Sequence, residues 1–447
     1  MKTYDLIIKN AHGLRRENGT LKTFEQDIAI KDGLIAGFGS YQDTQAEKTI
    51  DVSGLICLPG LMDTQVHMRE PGLEHKEDLR HGTMAAVAGG ITSVFEMPNT
   101  KPSTTDEAQL QKKLQIAQKN GWCDFAFYMG ASPENASQLG DLEQLPGCCG
   151  IKIFMGSSTG SLLVDQEDTL EQIIKNGSRR IAVHCEDEDR LKERKKIVSK
   201  PHANVKLHPD WRDEQSALMA TQKVVQLAQK HHRPIHVLHV TTKQEMNFLK
   251  EYKQKLISVE CTPQHLTLSA PECYEKLGTY AQMNPPIRGM EHLKALWQGI
   301  ENHTVDIIGS DHAPHTREEK ELPYPQSPSG MPGVQTIVLI MLDHVRQGRL
   351  SLNRLVELMN INPIERFKIK NKGTLELGKD ADITIVDLKK EFTITDAWIK
   401  SKCGWTPFNG KKVRAMIHST IIRGQVALLE GELQQKPEAR QLQFELK

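Results

Sequence analysis

The stretch Arg180-Ile181-Ala182-Val183-His184, followed by Glu214–Lys230 and then by Pro234-Ile235-His236-Val237-Leu238-His239-Val240, reads as strand, helix and strand. The two short runs are apolar and rich in β-branched residues, too short for helices and suited to buried strands. Between them Leu218, Val224, Val225 and Ala228 recur near a 3.6-residue period, as a helix needs to cover a sheet. The same rhythm extends in both directions. Apolar runs at 55–67, 91–97, 124–129, 150–155, 180–184, 234–240, 256–261 and 305–310 give eight candidate strands, with helical patterns such as 105–120 between them. Eight strands, each followed by a helix over roughly 250 residues, predict a (β/α)8 TIM-type barrel.

The flanks have a different texture. Tyr4-Asp5-Leu6-Ile7-Ile8 reads as a strand, and the runs 27–30 and 34–38 flank Lys31-Asp32-Gly33. Asp-Gly is a strong hairpin signal, because both central turn positions tolerate positive φ. β patterning returns after about Lys368, with Gly373-Thr374-Leu375, Gly378-Lys379-Asp380-Ala381-Asp382 and apolar runs at 383–386, 416–422 and 426–429. The expected organisation is a β segment at 1–53, the barrel at 54–368 and a second β segment at 369–447. The two end segments are expected to pair into one small β-sandwich.

Composition narrows the function classes. The 447 residues carry 57 Lys plus Arg against 57 Asp plus Glu, so net charge gives no case for a nucleic-acid or anionic-membrane partner. No apolar run approaches the ~20 residues that cross a bilayer, and Met1–Asp5 lacks the apolar core of a secretory signal. The eight cysteines form no CxxC pair and read as buried reduced thiols. A soluble cytoplasmic protein acting on a small molecule is the expectation.

Five polar clusters fall at the C-terminal ends of predicted barrel strands, the catalytic face of barrel enzymes. They are Asp63-Thr64-Gln65-Val66-His67-Met68-Arg69, Gly150-Ile151-Lys152-Ile153-Phe154-Met155, His184-Cys185-Glu186-Asp187, His236-Val237-Leu238-His239 and Gly309-Ser310-Asp311-His312-Ala313-Pro314-His315. Gln65 and His67 are two apart and point the same way from a strand. Lys152 places an ammonium in an apolar strand, where it is costly; reaction with CO2 would convert it into an anionic oxygen donor. One histidine at a strand end is usually structural, but imidazoles, a carboxylate and a lysine on successive strands of one rim are hard to obtain from folding needs alone. With no paired cysteines, that donor set suits a catalytic rather than a structural Zn2+. His236, three residues from His239, is expected to pack structurally, and His231, His232 and His312 are assigned no role. The glycines of 155–160 are followed by no Walker lysine and carry little weight as a phosphate loop.

The order of these clusters is similar to that of the amidohydrolase superfamily. Gly309-Ser310-Asp311-x-Ala313-Pro314-His315-x4-Lys320 resembles the long motif of the dihydroorotase family, and Gly378-x-Asp380-Ala381-Asp382 resembles the accessory sandwich beside such barrels. The resemblance covers nearly the whole chain. It implies one or two Zn2+ ions: His67 on one, His184 and His239 on the other, carboxylated Lys152 bridging them, and Asp311 both holding metal and shuttling a proton. It further implies that Arg69, Asn99 and His315 bind the substrate carboxylate and that Asn284 contacts the ring. For Asn99 and Asn284 the alternative is a turn or strand-end residue beside Pro98 and Pro285-Pro286. The implied reaction is reversible hydrolysis of L-dihydroorotate to N-carbamoyl-L-aspartate by a metal-bound hydroxide, in pyrimidine biosynthesis, by a homo-oligomer.

One position departs from the family pattern. Gln65 stands where the family has the first histidine of His-x-His, and a neutral amide oxygen is a weaker Zn2+ donor than imidazole. Three outcomes are open: fewer protein ligands on the first metal, ligation through the amide oxygen or water, or an empty position. Two other functions remain as alternatives. One is a hydantoinase- or allantoinase-like hydrolase, against which Arg69 and Asn99 argue; the other is a non-catalytic scaffold subunit, which only Gln65 favours. The run 316–333 is long for a barrel loop and is expected to close over substrate.

Overall fold

The computed structural model describes residues 3–157, 162–252 and 256–445, so part of the glycine-bearing run at 155–160 lies outside the described residues. Eight parallel strands form one sheet in sequential order: Leu61–Val66, Ile91–Glu96, Asp124–Gly130, Cys148–Phe154, Ile181–His184, Ile235–Val237, Ile257–Cys261 and Ile307–Ile308. All eight strands expected from the sequence are present. Every residue in them is buried, which is why they read as continuous apolar runs rather than alternating ones. A bridge between Val66 and His312 joins the last strand's extension to the first strand. There the His67 N–H donates to the His312 carbonyl at 2.7 Å. His312 thus acts through its backbone at the seam.

The helix at Glu214–Lys230 shows how the outer layer forms. Asp213 caps it by accepting from the Ser216 N–H, and Ala217, Ala220, Thr221, Val224, Val225 and Ala228 are buried on one face. Leu218, expected on that face, is only partly buried; small alanines let the helix approach the sheet more closely. No helix among the described residues is long and apolar enough to cross a membrane. All eight cysteines are buried free thiols.

The two ends of the chain meet beside the barrel. A seven-stranded sheet runs Glu432–Leu433, Gln425–Leu429, Met416–Ile422, Ile383–Asp387, Ile56–Pro59, His12–Glu17 and Thr20–Glu25, so a block of four C-terminal strands joins a block of three N-terminal ones where Ile383–Asp387 pairs with Ile56–Pro59. A four-stranded sheet of Leu34–Gly39, Asp27–Lys31, Tyr4–Lys9 and Ala46–Asp51 completes the second layer. Leu6, Ile8, Ile28 and Ile30 share one apolar core with Ile383, Ile385 and Ile421. Asp32 and Gly33 form the expected two-residue hairpin loop with φ of 52° and 78°.

Residues 55–67, expected as one barrel strand, are two. Ile56–Pro59 pairs in the sandwich and Leu61–Val66 in the barrel. The break is Gly60, where a Cβ would sit 2.5 Å from both Asp382 Cβ and Thr92 Oγ1. Barrel and sandwich are further joined by a buried ion cluster. The Lys372 ammonium lies 2.6 Å from Asp124 and Asp382 and 3.0 Å from Asp380, with Arg423 also on Asp124. Lys372→Met leaves three carboxylates without their central cation and is expected to cost about 3–5 kcal/mol of stability. Thermal unfolding of the variant beside wild type measures this.

Candidate active site

Every sequence-predicted site residue is buried at the C-terminal mouth of the barrel. Gln65, His67, Lys152, His184, His239, Asn284 and Asp311 line one cavity of about 20 Å³, with Phe154, Ala313, Ser329 and Gly330. That is room for about one water. Asn99 is joined to this lining by a hydrogen bond to His67 and His315 by one to Ser329, while Arg69 is linked to it through His315. Arg69, His239 and Asp311 take positive φ of 63°, 36° and 45°, a conformation costing a non-glycine residue of order 1 kcal/mol and concentrated at functional sites.

The donors come in two pairs. In the first, Asp311 Oδ1 accepts from Gln65 Nε2 at 3.0 Å and lies 3.2 Å from His67 Nε2, while His67 Nδ1 meets Asn99 Oδ1 at 2.7 Å. In the second, His184 Nδ1 and His239 Nε2 are 3.1 Å apart. His184 Nε2 lies 2.8 Å from Glu186 Oε2, and the Arg212 guanidinium grips both oxygens of Glu186, Nε at 3.0 Å from each. Glu186 thereby takes the Nε2 proton and leaves the Nδ1 lone pair facing the mouth, the carboxylate–histidine arrangement that orients metal ligands.

Electrostatics favour the protonation states that a cation requires. Burial pushes His67, His184 and His239 below the ordinary imidazole value, His239 furthest, so they are neutral donors. Burial also brings the Lys152 amine down to about 7. Burial alone would raise the Asp311 carboxyl, but its hydrogen bond with His67 outweighs that and keeps Asp311 ionised.

The residues present fit a metal at this mouth. Among the described residues Lys152 Nζ, His239 Nδ1 and Gln65 Oε1 are buried without a hydrogen-bond partner, and all three side chains line the one cavity. Buried polar atoms are rarely left so. Among the described residues the one trio of acidic, Cys or His donors within 4.8 Å of each other is elsewhere, at Asp124, Asp380 and Asp382. There the Lys372 ammonium already occupies the cation's place.

The Arg69 guanidinium is 2 % exposed. Its Nε donates to Pro314 O at 3.2 Å and its Nη2 lies 3.3 Å from His315 Nε2. Burial lowers it to about 10, so it remains charged near neutrality. Asn284 Oδ1 lies 3.0 Å from His208 Nε2. From the run 316–333, Ser329 and Gly330 line the cavity; Ser329 O is 3.0 Å from His315 Nε2, and the buried Lys320 ammonium donates to the carbonyls of Gln282, Pro328 and Gly330 at 3.1, 2.8 and 3.1 Å.

His236 packs as expected, between Ser258 Oγ at 2.8 Å and Glu260 Oε2 at 3.2 Å. The sequence reading assigned nothing to Glu186, Arg212 or His208. The spacing His184-x-Glu186 at a strand end was a usable signal; Arg212 and His208 reach the mouth from a distant segment and had none.

Residues 56–427 match the amidohydrolase family. The chain is 36% identical to a dihydroorotase of Pyrococcus furiosus over 94% of its own length and 93% of the relative's. It is 35% identical to a dihydroorotase of Methanosarcina acetivorans, covering 97% and 94%. Among solved structures it resembles an L-hydantoinase from Arthrobacter aurescens, with a TM-score of 0.90, 28% identity and coverage of 97% and 98%. A dihydropyrimidinase from Brevibacillus agri shares the fold, with a TM-score of 0.88, 23% identity and coverage of 97% of each chain. Fold, donor set and sequence agree that this chain belongs to the amidohydrolase family, as a relative of the dihydroorotases.

Proposed function

We propose that this cyclic amidohydrolase interconverts L-dihydroorotate and N-carbamoyl-L-aspartate. The observation that carries the reading is Arg69. It is a buried guanidinium that makes no ion pair among the described residues, in contrast to Arg212, which Glu186 neutralises, and Arg423, which Asp124 neutralises. An unpaired buried cation is unfavourable until an anion arrives, and a guanidinium binds a carboxylate in bidentate fashion. A ring bearing a carboxylate supplies that partner. Neutral hydantoin and allantoin do not.

Neutral Lys152 is competent to add CO2, forming an N–C bond with loss of its proton and becoming an anionic oxygen donor between His67 and Asp311 on one side and His184 and His239 on the other. One or two Zn2+ ions held by these groups would polarise the ring carbonyl and lower the pKa of the attacking water. Asp311, ionised and fixed by Gln65 and His67, removes a proton from that water as it adds to the ring carbonyl. It then returns the proton to the ring nitrogen as the C–N bond breaks. Arg69, Asn99 and His315 hold the carboxylate, and Asn284 holds the ring. The enclosed volume is far below that of the substrate, so Ser329 and Gly330 must withdraw for entry and then close to exclude water. A homo-oligomer in the cytoplasm is part of the same reading.

The purified protein is expected to interconvert the two compounds, to lose turnover with a chelator and to regain it with Zn2+. Turnover of hydantoin or allantoin with none of dihydroorotate would overturn the assignment. Arg69→Met is expected to lower kcat/KM for dihydroorotate on the order of 10²-fold, the worth of charge-assisted hydrogen bonds to one carboxylate. Steady-state kinetics measures the loss, and an unchanged kcat/KM would remove Arg69 from the substrate site.

A further inference from the structure

The two donor pairs differ in what already satisfies them. At His184 and His239 the two imidazoles meet each other, and no anion among the described residues lies between them. Glu186 holds the outer nitrogen of His184, which turns its Nδ1 lone pair towards His239 Nε2 across 3.1 Å. Among the described residues His239 Nδ1 and Lys152 Nζ are buried without partners. Two imidazoles at this spacing match adjacent ligands of one cation with metal–nitrogen bonds of about 2.0–2.1 Å.

At the other pair the chain supplies a partner for the carboxylate, although Gln65 Oε1 is left without one among the described residues. Gln65 Nε2 donates to Asp311 Oδ1 at 3.0 Å, the same oxygen that lies 3.2 Å from His67 Nε2. An imidazole in the position of Gln65 would offer a lone pair; this amide presents an N–H to the carboxylate instead. The carboxylate is therefore stabilised as an anion without a metal, and the pair retains one imidazole where the other has two. Imidazole nitrogen is the stronger Zn2+ donor.

We propose that the chain holds one divalent cation tightly, on His184 and His239 with Lys152, and that the Gln65–Asp311 hydrogen bond takes the place of a tightly held second cation beside His67. The proposal rests on the reading of the mouth as metal-dependent. Gln65 becomes a positioning residue that holds Asp311 towards the reacting atoms.

The test strips the full-length protein with a chelator, reloads it with Zn2+ and dialyses it exhaustively. Zinc per chain is then counted by elemental analysis, and dihydroorotate turnover is assayed on the same samples. Wild type is expected to retain about one Zn2+ per chain and Gln65→His about two, a twofold rise. His239→Ala is expected to lose the tightly held ion and His67→Ala to keep it, with circular dichroism confirming that each variant is folded. Retention of two ions or none by wild type overturns the proposal. So does a single ion that His67→Ala loses and His239→Ala keeps. One ion without turnover would leave the single-cation proposal standing and sink the dihydroorotate reading; two ions with turnover would do the reverse.

Discussion

The Lys152 amine is 1 % exposed in the fourth barrel strand and has no hydrogen-bond partner among the described residues, and the layout of the mouth follows from that. A buried, unpaired ammonium costs several kcal/mol, so the group is driven towards its neutral, nucleophilic form, at about 7. The same absence of water keeps three histidines neutral, while hydrogen bonds keep Asp311 ionised. A folded chain optimised for stability alone would have filled this space with apolar side chains. Here it keeps neutral donors, one carboxylate and an amine around a volume of about 20 Å³, an arrangement whose unfilled valences point inward.

Support for those donors comes from outside the mouth, in layers. Glu186 sets the tautomer of His184 and is itself held by Arg212. Asn99 bonds the outer nitrogen of His67, and the backbone of His312 fixes His67 at the barrel seam. Lys320 ties the covering loop down through three carbonyls. Arg69 breaks the pattern, since it is buried like Arg212 yet, among the described residues, its hydrogen bonds go to a carbonyl and an imidazole and to no carboxylate. On the function proposed above, Lys152, His184 and His239 would take the cation and Arg69 the substrate's anion.

Much of this was legible in the sequence. All eight barrel strands could be placed because strands buried on both faces leave unbroken apolar runs, and the hairpin at Asp32-Gly33 because positive φ leaves a residue signature. What could not be read were tertiary events. Residues 55–67 look like one strand, and only the close approach of Asp382 and Thr92 to Gly60 divides them. His12–Glu17 and Thr20–Glu25 carry mostly polar residues and gave no apolar alternation to detect. In the site, residues on successive strand ends were found because strand order sets their position, whereas Arg212 and His208 arrive through folding of a distant segment. The family pattern marked Gln65 as a departure, but the direction of its amide, N–H towards Asp311, is a fact of three dimensions.

The most direct measurement is a crystal structure of the zinc-loaded protein with orotate, the planar analogue of the proposed substrate. The account predicts the orotate carboxylate on the Arg69 guanidinium, its ring beside Asn284, and the segment at Ser329 and Gly330 displaced from its present contact with His315. An orotate molecule bound in the mouth with its carboxylate away from Arg69, and the guanidinium still unpaired, would contradict it.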